Sequence, residues 1–389
     1  MLRIATILCL FLVGASVYAQ GVSYPSFGKG INIMADDSSA SMKVNVRIQN
    51  LFEAGYDDFL QKTNTKFMVR RQRLKFSGHV VDKDLRYKLE LGFSNRDQGN
   101  SRTGQFGSDG SNIILDAVVK YYLFEDFDIW FGQTKLPGNR ERVISSGDMQ
   151  FVDRSLLNSN LNIDRDAGIQ IRYKFGTDFV VKPTFAFTTG EGRNITADNA
   201  GGFAYTFHTD ILPFGDFDDY VSSDHSFNEN HKLAIGAAFS FNDATDRQGG
   251  QIGNFVFDTA GGVVHNDMFT YFADLHYKYN GISIMAEVAR KNVDKELNNI
   301  TKKFITGDAV NFQIGYLFRN YWELAARYSY VKPDNSFSDI DELAEYTFGI
   351  SKYLSKHKLK IQSDFSYFDN FGLAGEDDFR YRFQIELQL

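Results

Sequence analysis

The sequence predicts an all-β protein, a 16-stranded antiparallel transmembrane β-barrel with short periplasmic turns and long extracellular loops. Three observations predict this fold: apolar and polar residues alternate along sixteen segments, the connections are alternately short and long, and the last segment alternates to its final residue. Aromatic residues make up 15% of the 389 residues, which suits strands with one apolar face. The mean hydropathy of -0.31 excludes a bundle of membrane-spanning helices.

The first element is an N-terminal export signal. Arg3 precedes an apolar run, Ile4–Val13, and the small residues that follow predict cleavage after Ala19, so residues 1–19 form a signal peptide. The alternative, a membrane anchor, is disfavoured because the run is shorter than the ~20 residues that a spanning helix needs. Cys9, the single cysteine, lies inside this signal, so the exported protein has no disulfide or thiol chemistry.

The exported chain then divides into a short N-terminal segment, 20–40, and the barrel domain, 41–389. We expect the first segment to be periplasmic or disordered. In the barrel we predict that the apolar positions of each strand face lipid and that the alternate polar positions face the lumen. The predicted strands, bounded by their outermost apolar residues, are 42–48, 74–80, 85–93, 113–121, 127–131, 169–175, 179–187, 203–211, 233–241, 269–277, 282–288, 310–318, 322–330, 346–350, 359–367 and 379–389.

The connections give an independent test of this division. Tight turns are predicted at 81–84, 124–127, 175–179, 279–281, 318–321 and 354–358. Longer loops are predicted at 97–112, 133–166, 189–202, 242–267, 290–308, 332–344 and 368–377. Short turns at one end and long loops at the other are typical of outer-membrane barrels. The exception is 213–230, a long connection where a short turn is expected, and the sequence indicates only an ordered insertion there.

The last strand, "FRYRFQIELQL" at 379–389, has an apolar residue at every odd position and a charged or amide residue at every even position. A barrel has no free edge, so this strand must pair with the first strand along its whole length. The alternative, an antiparallel sheet of a soluble sandwich, also alternates between the two faces. It would not sustain sixteen segments with such large aromatic residues on one face.

The inward positions of these strands carry more bases than acids. The predicted register turns roughly nineteen bases and roughly ten acids inward, although the whole chain has a net charge of -7. A basic lumen with low-dielectric walls concentrates anions and repels cations. The alternative is that these bases pair with lumen acids such as Glu90, Asp116 and Glu323 and only keep the wall solvated. The predicted basic ladder comprises Arg71, Arg73, Lys75, Arg86, Lys88, Lys120, Arg172, Arg327, Arg380 and Arg382.

Motifs for catalysis are absent from the sequence. The seven histidines show no HExxH or comparable metal spacing, and there is no GxSxG nucleophile motif or phosphate-binding glycine loop. His208 and Asp210 could form an acid–base pair, but inward pairs two residues apart are common in any barrel strand. We therefore predict no enzyme activity, no metal and no cofactor.

The longest loop, 133–166, carries residues that resemble the phosphate-selective porin O/P family. "FGQTKLP" (131–137) and "ERVISSGDMQFVDRS" (141–155) are similar to the third-loop signature of that family, and "WELAARYS" (322–329) is similar to a late strand. The resemblance runs from about the second strand to the C-terminus. It implies a trimeric sixteen-stranded porin in which the third loop folds inward and forms the constriction.

The resemblance also implies where the solute binds. In the family a basic residue, a Ser-Ser pair and a following Arg bind the anion, and the matching positions here are Arg142, Ser145, Ser146 and Arg154. Guanidinium groups fork onto phosphate oxygens, and hydroxyl groups donate further hydrogen bonds. Strongly phosphate-selective members have Lys where this chain has Arg142, and the inward acids Glu90, Asp116 and Glu323 interrupt the basic ladder. These departures put phosphate selectivity in question.

We therefore predict a porin in the outer membrane of a Gram-negative bacterium that passes small anions by passive diffusion, with phosphate or polyphosphate as candidates. The expected assembly is a homotrimer whose outer wall contacts membrane lipid and lipopolysaccharide. No nucleic-acid partner is expected, because the bases face inward and the exterior faces lipid. The alternative is a non-conducting barrel that serves adhesion or partner docking through long loops such as 242–267.

Overall fold

The computed structural model describes residues 22–389 except 24, 59, 99–111, 196–198, 200, 296, 298, 301, 335–337, 339 and 372–377. The predicted signal peptide, 1–19, and most of the predicted loop 97–112 lie outside the described residues. No helix in the described part of the chain is long and apolar enough to cross a membrane.

Sixteen antiparallel strands form one closed sheet, in which each strand pairs with the next along the chain. Two short strands, β1 (Val22–Ser23) and β2 (Ile31–Met34), precede them. The barrel strands are β3 (Ser41–Asp57), β4 (Lys62–Val80), β5 (Asp82–Gly92), β6 (Ile114–Phe124), β7 (Phe127–Lys135), β8 (Arg165–Tyr173), β9 (Val180–Thr188), β10 (Ala204–Leu212), β11 (Lys232–Thr245), β12 (Asn266–Tyr279), β13 (Ile282–Val293), β14 (Gly307–Leu317), β15 (Trp322–Pro333), β16 (Leu343–Ser355), β17 (Leu359–Asn370) and β18 (Asp378–Gln388).

Each of the sixteen predicted segments coincides with one of the strands β3–β18, and the predicted fold is confirmed. The alternation also has the predicted direction. In β18, Phe383 and Ile385 are exposed on the outer wall, whereas Gln384 and Glu386 are buried inside. Six short connections lie at one end of the barrel, at 81, 125–126, 174–179, 280–281, 318–321 and 356–358.

The barrel closes between its last and first strands. The β18–β3 pairing runs from Asp378 opposite Asp57 to Gln388 opposite Arg47, as the alternation of the last strand predicts. Strand β3 extends beyond the end of β18, and β2 pairs with this extension from Ile31 opposite Val44. The described part of the segment 20–40 therefore adds short strands to the end of the barrel, where the sequence indicated only a periplasmic or disordered segment.

The loop between β7 and β8, residues 136–164, lies inside the barrel and is called the lumen loop below. It contains two short helices, α2 (Arg140–Val143) and α3 (Leu156–Leu161), which follow α1 (Asn95–Gln98) of an earlier loop. The side chain of Ser155 caps α3 by accepting a hydrogen bond from the Asn158 backbone N–H at 3.2 Å. The buried apolar cluster that holds the loop against the wall consists of Leu136, Leu156, Leu157, Leu161 and Ile163 with Ala186, Ala238, Phe272, Ala289, Ala309, Val331 and Phe368.

Small inward-facing residues make this close docking possible. A Cβ atom added to Gly315 of β14 would lie 2.2 Å from Nε2 of Gln150, a residue of the lumen loop. A Cβ atom on Gly349 of β16 would lie 3.1 Å from Cδ1 of Phe151 in the same loop. Glycine at these two positions removes the side chain that would otherwise hold the loop away from the wall.

Candidate functional site: a basic conduit along one wall

The lumen loop packs against the β9–β17 side of the barrel, and the open space lies on the opposite side. Three cavities follow each other there. The upper cavity, about 430 Å³, lies at the long-loop end; the middle cavity measures about 500 Å³; the lower cavity, about 860 Å³, opens at the short-turn end. The upper and middle cavities share Arg73, Lys135 and Arg165 in their walls. The middle and lower cavities share Lys43, Lys75, Lys88 and Lys120, so the three form one conduit.

The walls of this conduit are strongly basic along its whole length. Eleven bases and four acids line the upper cavity, and eleven bases and two acids line the middle one. Among the described residues, six bases and no acid line the lower cavity. A surplus of positive charge between low-dielectric walls raises the local concentration of anions.

Three of the four predicted anion-binding residues lie together in the upper cavity. These are Arg142, Ser146 and Arg154, whereas Ser145 lines the middle cavity below them. Ser146 Oγ accepts a hydrogen bond from Nη1 of Arg47 at 2.7 Å, and its own O–H remains able to donate. The structure thus separates the two serines into adjacent cavities.

Both arginines of this group also stabilise the lumen loop. Arg142 forms an ion pair with Asp164. Nε of Arg154 donates to the Glu141 carbonyl at 3.0 Å, and Nη2 donates to the Ile144 carbonyl at 2.8 Å. These contacts hold both guanidinium groups in place at the wall of the cavity.

The bases of the upper cavity outnumber its acids, so positive side chains lie close to one another there. Burial, followed by the neighbouring Arg142 charge, lowers the pKa of Arg154 to about 9. Arg154 therefore stays protonated at neutral pH in a place where its charge is costly, and an anion beside it would relieve that cost. Burial alone would raise the pKa of Asp153, but the guanidinium groups of Arg70 and Arg71 hold it well below its usual range.

Nine of the ten residues of the predicted basic ladder line the conduit. They are Arg71, Arg73, Lys75, Arg86, Lys88, Lys120, Arg172, Arg380 and Arg382. The tenth, Arg327, lies behind the lumen loop with its side chain fully buried. It donates to the Asp153 carbonyl at 2.8 Å and pairs with Glu345 at 3.2 Å. The structure thus places Arg327 where it anchors the loop and not where it could meet a solute.

Several lining bases were not predicted from the strand pattern. Arg70 lies at an irregularity in the β3–β4 pairing, where Gln49 is opposite Arg71 but Asn50 is opposite Val69. This extra residue lets Arg70 and Arg71 both line the upper cavity. Arg165 also lies inside, beside Asp166, because regular alternation stops where β8 begins at the end of the lumen loop. A strict two-residue period cannot reveal such positions.

Three of the lining bases are available to a passing solute. Lys43, Lys75 and Lys120 make no ion pair or hydrogen bond with the described residues. Lys120 instead lies over the ring of Trp130, with Nζ 3.3 Å from the ring centroid. Lys88, by contrast, pairs with Asp116 at 2.6 Å.

The three acids expected to interrupt the basic lumen occupy different places. Glu90 and Asp116 both lie beside the conduit, where they pair with Lys88. Glu323 lies on the opposite wall, where it accepts a hydrogen bond from Gln150 of the lumen loop at 2.8 Å. Only the first two therefore reduce the charge that a solute meets.

Comparisons with known proteins agree with this architecture. The profile of the family described as "Phosphate-selective porin O and P" matches residues 42–370. No curated protein matches the sequence significantly.

Solved porin-like barrels are similar in fold and distant in sequence. A loop-deletion mutant of OmpT, an outer membrane protein of Vibrio cholerae, has a TM-score of 0.56 and 13% identity, with 90% of this chain and 99% of that chain covered. An anion-selective porin from Comamonas acidovorans has a TM-score of 0.55 and 12% identity, covering 90% and 100% of the two chains. OprB of Pseudomonas putida has a TM-score of 0.55 and 10% identity, covering 91% and 95%.

Proposed function

We propose that this chain, which belongs to the phosphate-selective porin O and P family, is an outer-membrane channel and that small anions diffuse through its basic conduit. The observation that carries the proposal is the continuous surplus of bases from the upper to the lower cavity. Lys43, Lys75 and Lys120 face this path without an ion pair or hydrogen bond to the described residues. Passive transport requires an anion to bind well enough to enter and weakly enough to leave.

The preferred solute is proposed to be phosphate or a short polyphosphate, held first in the upper cavity. The support is the chemistry of the lining: Arg142 and Arg154 present guanidinium groups, and Ser146 retains a hydroxyl proton. Ser145 lines the middle cavity directly below, where Lys43, Lys75 and Lys120 can receive the anion next. Fixed guanidinium groups and hydroxyls can bind two or more oxygens of a phosphate at once, which chloride cannot match.

Phosphate is expected to block chloride current through the wild-type channel, and the block is expected to weaken when Arg142 is replaced by Gln. Loss of one charge-assisted contact should raise the half-blocking phosphate concentration about tenfold, or ~1.4 kcal/mol. The measurement is current through a planar bilayer in KCl with increasing phosphate, together with the reversal potential under a KCl gradient.

Two further variants sharpen this test. Arg142→Lys keeps the charge and should retain most of the block, whereas Arg290→Gln, on the outer wall, should leave it unchanged. An equal block in wild type and Arg142→Gln would contradict the proposed phosphate site and leave a general anion channel. A folded protein without any conductance would favour the barrel that serves adhesion or docking.

The channel is proposed to assemble as a homotrimer in contact with lipid and lipopolysaccharide, and family membership is the support for this assembly. The exposed aromatic and aliphatic side chains around the outer wall provide the apolar surface for both kinds of contact. Native mass spectrometry of the detergent-extracted protein should give three chains per particle. A strictly monomeric particle under extraction conditions that preserve other porin trimers would argue against it.

A further inference from the structure

The connection between β10 and β11, residues 213–231, is long at the end of the barrel where the other turns are short. It is called the inserted turn below. Its central residues enter the barrel: Asp219, Ser222, Ser223 and Asp224 are all buried. A connection that only linked two strands would leave such polar residues in solvent.

One end of the inserted turn is anchored to β9 and β12, the strands on either side of the β10–β11 hairpin that it connects. Nζ of Lys182 on β9 pairs with Asp216 at 2.8 Å and with Asp219 at 3.2 Å. Phe217 packs against a small buried apolar cluster at the base of β9, β10 and β11. Lys278 on β12 donates to the Asp218 carbonyl at 2.7 Å. The turn is therefore bound to four consecutive strands.

The middle of the inserted turn meets the lumen loop inside the barrel. The Ser222 backbone N–H donates to the Asp148 carbonyl of the lumen loop at 2.9 Å. Tyr220 packs against Ile144 and Met149 of the same loop. The two connections, one from each end of the barrel, thus form a continuous packed layer.

The far end of the inserted turn reaches the opposite wall. The hydroxyl of Ser223 donates to Glu323 of β15 at 2.9 Å and lies 3.0 Å from the hydroxyl of Tyr353 on β16. The ring of His225 lies 4.5 Å from the rings of both Tyr353 and His357. The inserted turn therefore crosses the barrel from β9 to the β16–β17 turn.

We propose that the inserted turn is a floor that closes the β10–β16 half of the lumen, so that solutes cross only through the basic conduit. None of its described residues lines the three cavities of the conduit. The inward residues above it, including Ser283, Met285 and Gln313, are at most 2% exposed, because the lumen loop contacts them and the inserted turn lies below. The proposal rests on the proposed channel function and adds the element that determines which path solutes take through the barrel.

The closed half would not favour anions if it were open. Its inward wall carries the carboxylates of Asp210, Asp274, Glu287 and Glu323 beside the bases Lys278, Lys291 and Arg327, without the surplus of bases found in the conduit. A second path along this mixed wall would dilute the anion selectivity of the conduit. The floor is therefore a determinant of selectivity as well as of pore size.

The first test removes the floor. Ile211 is opposite Ile235, so residues 215–231 can be replaced by Asn-Gly to give a two-residue turn like Asn280-Gly281 of the β12–β13 hairpin. We expect the single-channel conductance to rise at least about twofold and the chloride preference to fall, because this half of the barrel loses its closure at the short-turn end and the lumen loop loses its contacts with Tyr220 and Ser222. The change of gel mobility on heating shows whether the variant is folded. Unchanged conductance and selectivity in a folded variant would overturn the proposal.

The second test needs neither the deletion nor ion flow. Cys9, the single cysteine, lies in the predicted signal peptide, so after its cleavage Ser283→Cys, in the closed half, and Lys75→Cys, in the conduit, each carry one reporter thiol. A charged methanethiosulfonate reagent should label Ser283→Cys at least about tenfold more slowly than Lys75→Cys, because reaction at a buried thiol needs local opening. Equal labelling rates, read by mass spectrometry, would overturn the floor even if the channel conducts anions as proposed. Slow labelling of Ser283→Cys in a protein without conductance would show that this half of the lumen is closed and would reject the proposed transport.

Discussion

Replacing Lys75 and Lys120 together by Glu is expected to turn an anion-preferring channel into a cation-preferring one. Both bases line the lower as well as the middle cavity and have no ion-pair partner among the described residues. Six bases and no acid among the described residues line the lower cavity, and the double change leaves four bases and two acids there. The chloride-to-potassium permeability ratio, measured from the reversal potential under a KCl gradient, should fall at least about tenfold, or ~1.4 kcal/mol.

The matched control changes the same number of charges at the long-loop end of the barrel. Lys62 and Lys66 lie at the exposed long-loop end of β4, and Lys66 has a side chain that is 62% exposed. Exposed charges are screened by salt over ~10 Å at 0.1 M, so Lys62→Glu with Lys66→Glu should change the permeability ratio little. If both double variants shifted the ratio equally, surface charge and not the conduit would decide selectivity.

Replacing Arg140 by Met is expected to destabilise the protein by ~3–5 kcal/mol, because it leaves buried carboxylates without a partner. The fully buried guanidinium group pairs with Asp274 at 2.5 Å, with Asp219 at 3.3 Å and with Asp210. Burial alone would lower the pKa of Arg140, but Asp274 and Asp210 hold it well above its usual range. Equilibrium unfolding in detergent micelles, followed by tryptophan fluorescence and gel mobility, measures the loss.

Arg140 also connects the lumen loop to the inserted turn, through Asp219, and to the wall. Current recordings of Arg140→Met should therefore show larger fluctuations than those of wild type. The control is Arg290→Met, which removes an exposed pair with Asp308 at 2.9 Å and should cost less than about 1 kcal/mol. Equal stability of Arg140→Met and wild type would show that the buried ion pairs contribute no net stabilisation.

The strands could be read from the sequence because alternation is a local property of the pleated backbone. The neighbours Phe383 and Gln384 show how this works: the apolar side chain is predicted to face lipid and the polar one to face the lumen. In the structure Phe383 is exposed on the outer wall and Gln384 is buried inside. The pattern fails where the backbone leaves regular pairing. At the irregularity opposite Gln49 and Asn50, Arg70 enters the conduit together with Arg71.

The candidate site was predictable only in part. Arg142, Ser146 and Arg154 of the loop signature line one cavity, because a short stretch of chain keeps its residues near one another. It could not show that Ser145 points into the next cavity or that Arg47 donates to Ser146, since Arg47 lies on a strand distant in sequence.

The sequence by itself determined the number of strands, their lipid and lumen faces, and the excess of inward bases. Only the tertiary structure decided which of those bases a solute can meet. Lys278, Lys291 and Lys360 also point inward, but they donate to the carbonyls of Asp218, Asn162 and Met149 and so anchor the inserted turn and the lumen loop. The physical reason is that the face of a strand residue depends on its immediate neighbours, whereas the wall on which a loop docks depends on packing between residues far apart in the chain.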